Sequence, residues 1–310
     1  MAIGKMNFLG DLFRKQAKIM LENKWHAMFY AIVFALLPFS SWLSVVIITL
    51  VTLRKGWKNG CWLLLPVMAV SLILTLTTYS FKVALTNILL NYVPCYLAAC
   101  VLRLTTSWRN VVSIFLLQTI ICVTFLHYFM PEYILTQFQY LLTILRDLDA
   151  ESSVLAFIND KSNLNQMLLA SYLLGFQAVA VVFSAFIPLM TARSIQSDLF
   201  FPGEFKNEML SFRGDKFGLL LLIVMLVGAN QQSIVAVSIL PMLLFYFLLT
   251  GISLSFNVFS KHKPFRIMIL LMATLFFLPF IMLPVYVIFG SLDSLFNFRL
   301  YLGRDAGKTI

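Results

Sequence analysis

With 310 residues, 61% hydrophobic and 12% charged, and a mean hydropathy of +0.91, the chain is not an ordinary soluble domain, where roughly 25% of residues are charged. Its net charge of +10 does not point to nucleic acid, because the cations flank long apolar runs, as they do at the cytoplasmic ends of membrane spans. Those runs cover 27–53, 59–81, 83–102, 110–131, 162–192, 217–260 and 267–292, and none of the 23 basic and 13 acidic residues lies inside them. Spanning a bilayer core takes about 20 apolar residues in helical form, so the pattern predicts an all-α, polytopic integral membrane bundle of about seven to nine apolar helices.

Residues 1–26 place Lys5, Arg14, Lys15, Lys18 and Lys24 between Met6, Leu9, Leu12, Phe13, Ala17, Met20 and Leu21, which fall near helical spacing. No compact apolar core with a small-residue cleavage site is present, so the segment reads as an amphipathic helix on the cytoplasmic leaflet. A single transmembrane domain follows over 27–292, and a tail over 293–310.

The run 27–53 is basic at both flanks, so its chain enters and leaves on one side. Pro38, Ser40, Ser41 and Trp42 divide it into arms too short for a core ~30 Å thick. A helical hairpin reconciles charge with length; a single kinked span that breaks the charge rule once is the alternative. Ala27, Ala31 and Ala35 form a stripe of small residues four apart, a face that lets another helix approach closely. It serves either a partner helix or ordinary packing.

Cations gather at the N-terminus, 54–58, 103–109, 193–216 and 261–266, whereas the connection 132–161 carries Glu132, Asp147, Asp149, Glu151 and Asp160. This predicts a cytoplasmic N-terminus, an external acidic segment and a cytoplasmic 193–216 loop. Trp25, Trp57, Trp62 and Trp108 fall at the same cytoplasmic interface.

Asn87 and Asn91, four apart, share a face of the third apolar helix; Gln118 and Gln177 lie mid-helix in the next two. Amides in hydrocarbon need partners. They either line a pocket for a neutral ligand or bond between helices. His127 has no carboxylate within its span and reads as interfacial, as do His26 and His262. Cys61, Cys95, Cys100 and Cys122 lack metal-ligand or disulfide spacing and read as small packing residues.

The external segment 131–166 repeats Ile134, Phe138, Leu141, Leu142, Leu145 and Leu148 at helical spacing, an amphipathic helix that either caps a cavity or packs at the outer interface. The cytoplasmic loop 193–216 suits a type II turn at Pro202-Gly203, with Phe205, Met209 and Phe212 on one face beyond it and Glu204, Lys206, Glu208 and Arg213 projecting elsewhere. It either docks a cytosolic partner or pairs with itself. The run 217–260 folds back at 228–233, and the last span, over 267–290, carries Pro279 and Pro284 and reads as one kinked helix. Alternation then puts the tail outside, which its Arg299, Arg304 and Lys308 suit poorly.

The loop pattern Arg193-x-x-Gln196 through Pro202-Gly203-x-Phe205-x-x-Glu208 to Arg213, with Leu53-Arg54-Lys55-Gly56 and Asp293 through Phe298-Arg299, resembles the YybS-like bacterial membrane proteins. That family has no established biochemical role. The resemblance implies a bacterial inner-membrane protein, similar in architecture to the S components of energy-coupling-factor vitamin transporters, with the rod-shape protein MreD as a further analogue. S components use an Ala-x-x-x-Ala face of the first helix to dock their coupling subunit.

No Gly-rich phosphate loop, zinc-binding His pair, intramembrane carboxylate pair or serine elbow occurs, so neither an enzyme, a metal site nor a cofactor is expected. Without intramembrane charge, proton or sodium coupling lacks its residues. Two readings follow. One is a substrate-binding subunit for a small, vitamin-like molecule, with Asn87, Asn91, Gln118 and Gln177 toward the ligand. Its Ala27, Ala31 and Ala35 stripe would face a membrane coupling subunit served by separate ATPases. The other is a non-transporting envelope scaffold that meets assembly proteins through Arg193, Gln196, Pro202, Gly203, Glu208 and Arg213.

Overall fold

The computed structural model describes residues 15–37, 39–147, 166–259 and 264–299. Among them the regular elements are all helices: α1 Lys24–Leu36, α2 Ser41–Lys55, α3 Trp57–Leu76, α4 Phe81–Thr105, α5 Trp108–Phe129, α6 Pro131–Asp147, α7 Gln166–Phe200, α8 Glu204–Ser211, α9 Lys216–Asn230, α10 Ile234–Phe259, α11 Pro264–Phe277 and α12 Pro279–Phe296. Residues 15–22, ahead of α1, are also helical. Six of these (α3, α4, α5, α7, α10 and α12) are long and apolar enough to cross a membrane; α1 and α9 are shorter apolar helices. The protein is built as a helical membrane protein. The first 14 residues, the acidic stretch 148–165 and the tail from 300 lie outside the described residues, so the readings made on them stay as sequence readings.

The chain divides into two compact units: residues 1–115 with 181–212, and 116–180 with 213–310. In the first, α2 packs against α1, α3 and α4. Every residue from Ser44 to Leu53 is buried. A helix apolar all round belongs at the centre of its bundle, and α2 is that centre. Of its hydroxyls, Thr52 Oγ1 donates to Ile48 O at 2.7 Å and Thr49 Oγ1 meets Cys95 Sγ of α4 at 3.2 Å, while Ser44 Oγ is buried with no partner among the described residues.

α1 begins at Asn23, whose side chain accepts from Trp25 N at 3.0 Å. It ends where Ser40 Oγ donates to Phe34 O and Leu37 O, taking up carbonyls the stopped helix leaves free. Ala27, Ala31 and Ala35 are buried against this chain's own helices, since α1 packs on α2 and α3. The small-residue stripe therefore serves internal packing, not an exposed docking face. Ala17 and Leu21 are likewise buried while Lys15 and Lys18 are exposed, so the segment before α1 is amphipathic with its apolar face against protein.

The centre of the second unit is α10, packed on α9, α11 and α12. α10 and α12 meet backbone to backbone: a Cβ on Gly251 would strike Tyr286 O, and one on Gly290 would strike Phe247 O. The expected fold-back separates α9 from α10, with Gln232 at φ 59° and Ser233 N bonding Gly228 O at 3.0 Å. The last apolar run departs from expectation. It is two helices, because Pro279 starts α12 at a first-turn position where its missing N–H costs nothing. α12 then continues to Phe296 and carries Asp293 inside it.

α6 buries Ile134 and Phe138 against Ala170, with Leu126, Met167 and Leu173 around them, so the amphipathic helix is a packed cover over the ends of α5 and α7. His127 corrects its interfacial reading. It is buried, with Nε2 2.9 Å from Ser238 Oγ, and Ser238 donates to Ser171 O at 2.9 Å. α5, α7 and α10 are thus tied by one polar chain.

Candidate functional site

In the first unit the arms α1 and α2 hold 13 and 15 residues, about 20 and 22 Å of helix, beside α3 with 20 residues (about 30 Å) and α4 with 25 (about 37 Å). α2 ends and α3 begins on either side of Gly56, so the two share that end. The short arms therefore stop below the far ends of the longer helices. At their tip lies a cavity of about 470 Å³.

Its two walls differ in chemistry. Leu36, Leu37, Phe39 and Trp42 supply apolar surface from the tip, and Asn87, Asn91 and Ser184 supply polar groups from α4 and α7. Ser71 and Tyr92 sit deeper, buried and joined hydroxyl to hydroxyl at 3.1 Å. Thr75 and Ser184 spend their hydroxyl protons on backbone carbonyls of their own helices. The amides of Asn87 and Asn91, exposed to the cavity, have no hydrogen-bond partner among the described residues. No ionisable Asp, Glu, Lys, Arg or His lines the space. Such a site can hold a neutral molecule that offers hydrogen-bonding groups on one side and apolar surface on the other.

Asn87 and Asn91 thus come together as their spacing predicts. Gln118 and Gln177 do not join them. Both amide atoms of Gln118 are buried without a partner among the described residues, and Gln177 is exposed; neither lines the cavity. The Ser71–Tyr92 pair and the wall role of Trp42 have no counterpart in the sequence reading. Nothing in the spacing of a hydroxyl on α3 and one on α4 announces that they face each other.

The loop residues fall into two buried charge clusters. In the first unit, Glu208 accepts from Arg193 Nε at 3.1 Å, from Arg193 Nη2, and from Trp108 Nε1 at 2.9 Å. Arg193 Nη1 donates to Gln196 Oε1 at 2.7 Å. Trp108 is held edge-on by Phe186 and Phe205. It is 3% exposed, so it is a core anchor and not the interfacial indole the sequence suggests. Glu208 turns inward where its helical face predicts an outward projection.

The turn behaves as its residues predict: Gly203 takes φ 92°, ψ −14°, the third position of a type II turn, and Glu204 N bonds Phe201 O at 3.1 Å. Pro202 and Gly203 are exposed; Arg193 and Gln196 are buried.

In the second unit Asp293, fully buried, accepts from Phe298 N at 3.0 Å and Arg299 Nε at 3.1 Å. Arg213 caps the end of α12 by donating to the carbonyls of Asp293 at 2.7 Å and Ser294 at 2.9 Å. Burial lowers the Arg299 guanidinium from its ordinary range, Asp293 raises it, and Arg213 lowers it again. These arginines hold parts of the chain to each other. No protein-family model, curated protein or solved structure matches the chain.

Proposed function

We propose that the chain is a substrate-binding membrane subunit, similar to an S component, that takes a small neutral molecule, vitamin-like in size, into the cavity at the tip of α1 and α2. The observation that carries this reading is the pair of unengaged amides, Asn87 and Asn91, opposite the apolar wall of Leu36, Leu37, Phe39 and Trp42. Amides exposed in a cavity and engaged by no other side chain are free to bond the polar groups of a ligand. A mostly apolar concavity with a few convergent polar groups is the usual form of a small-molecule site.

The arms α1 and α2 then act as a re-entrant hairpin, bringing the apolar helices to about seven to nine. With basic residues at the hairpin's base, the N-terminus is cytoplasmic and the cavity opens toward the outside of a bacterial inner membrane. Binding, not catalysis, is the task, and transport energy comes from separate coupling and ATPase subunits. The scaffold reading, with MreD as analogue, is less favoured because Arg193 and Arg213 are spent on Glu208 and on backbone carbonyls of their own chain.

Native mass spectrometry after mild-detergent extraction tests the proposal. A retained neutral small molecule that is lost from the Asn87→Ala/Asn91→Ala variant supports it. Retention of neither a small molecule nor coupling ATPases sinks it.

A further inference from the structure

We propose that the C-terminal end of α2 is a binding site for the phosphate headgroup of an anionic phospholipid, clamped by Arg54 and Arg103. Arg54 belongs to the last turn of that helix, and the head of Arg103 lies against its end. Arg54 rests over the Phe200 ring, 3.9 Å from its centroid. Arg103 reaches across from α4, its Nη1 donating to Thr52 O at 3.2 Å and Leu53 O at 3.3 Å. Its head lies against Gly56, where a Cβ would sit 3.4 Å from the guanidinium carbon. Gly56 also has φ 101°, a conformation that disfavours any side chain there.

Each arginine is thus fixed by contacts that consume little of its charge. Among the described residues neither forms an ion pair. Asp198, two residues before Phe200, is exposed and leaves Arg54 unpaired. The connections 54–58 and 103–109 hold Arg54, Lys55, Lys58, Arg103 and Arg109 and no carboxylate.

The exposed indoles of Trp25 and Trp57 mark the headgroup level beside them, with Tyr96 Oη bonding Trp57 O at 2.9 Å to hold that corner. This placement assigns the phosphate to a lipid and not to a soluble anion. Two pre-positioned guanidinium forks suit phosphate oxygens better than diffuse lysines do.

The test uses the full chain in neutral detergent, titrated with phosphatidylglycerol or phosphatidylcholine and read by native mass spectrometry. Wild type retains phosphatidylglycerol in preference, and each of Arg54→Gln and Arg103→Gln lowers that preference by about fivefold, the worth of one cation at an anionic surface. Arg54→Gln keeps the test clean should Arg103→Gln unseat the α2 cap, because the Arg54 side chain forms no hydrogen bond or ion pair among the described residues. Lys82→Gln, at the opposite end of α4, leaves the preference unchanged. Unaltered preference in Arg54→Gln, an equal loss in Lys82→Gln, or displacement of the lipid by millimolar inorganic phosphate would each overturn the proposal.

Discussion

The two units solve the packing of a central helix in opposite ways. Around α10, glycines at 251 and 290 let backbones touch, and α10 and α12 close on each other with no side chain between them. Around α2, the neighbouring arms are too short to match α3 and α4, and the mismatch leaves a cavity of about 470 Å³. Small residues serve both: Ala27, Ala31 and Ala35 seat α1 tightly along its length, yet the space opens where α1 ends. Helix length, more than side-chain size, makes room in the first unit. The units also differ in their ties. The carboxylate of Glu208 joins Arg193, 15 residues away, and Trp108, 100 residues away, through side chains, whereas that of Asp293 bonds Phe298 and Arg299 just beyond its own helix end.

The largest effect should come from cutting the Glu208 tie. Glu208→Ala leaves Arg193 buried without its counter-ion and should cost about 3–5 kcal/mol, measured by denaturant titration in mixed micelles. A loss below about 1 kcal/mol would show that water or Glu204 replaces the carboxylate.

Next, Gly251→Leu should cost about 3 kcal/mol by forcing α10 from α12. Ser184→Leu, which adds a comparable side chain at the mouth of the cavity, should stay within about 0.5 kcal/mol of wild type. Equal melting temperatures for these two variants would erase the contrast between a filled unit and an open one.

Smaller again, Asn87→Ala and Asn91→Ala should each weaken the retained ligand about tenfold, the worth of one hydrogen bond, with the fold intact by circular dichroism. Trp108→Phe should cost about 1.5 kcal/mol, since it removes one donor from a carboxylate that keeps its arginine. If Trp108→Phe proved as damaging as Glu208→Ala, the indole and not the arginine would be the main anchor of α8.

Particular residues show how much was legible beforehand. The break at 228–233 and the turn at Pro202-Gly203 were readable because Gly, Pro and polar residues act through local backbone geometry. Asn87 and Asn91 were readable as a pair because helical period alone puts them on one face. Their partner wall was not, since Trp42 and Asn91 face one cavity only after their helices have packed. His127 and Trp108 were misread for the same reason: each looks interfacial by position in its run, and each is buried with a hydrogen-bond partner 111 or 100 residues away. The Pro279 start of a new helix was a missed local signal, because a proline preceded by an apolar run reads equally as a kink.

By itself the sequence determined the helical membrane class, the lengths of the arms and the uncharged apolar runs, because bilayer thickness and charge desolvation act on each segment alone. Only the tertiary structure decided that α2 is central, that Glu208 turns inward to Arg193, and that a neutral cavity lies at the tip of two short helices. Those outcomes depend on which helices become neighbours, and hydrocarbon offers no sequence-local signal for that choice, since every apolar face is equally content against lipid.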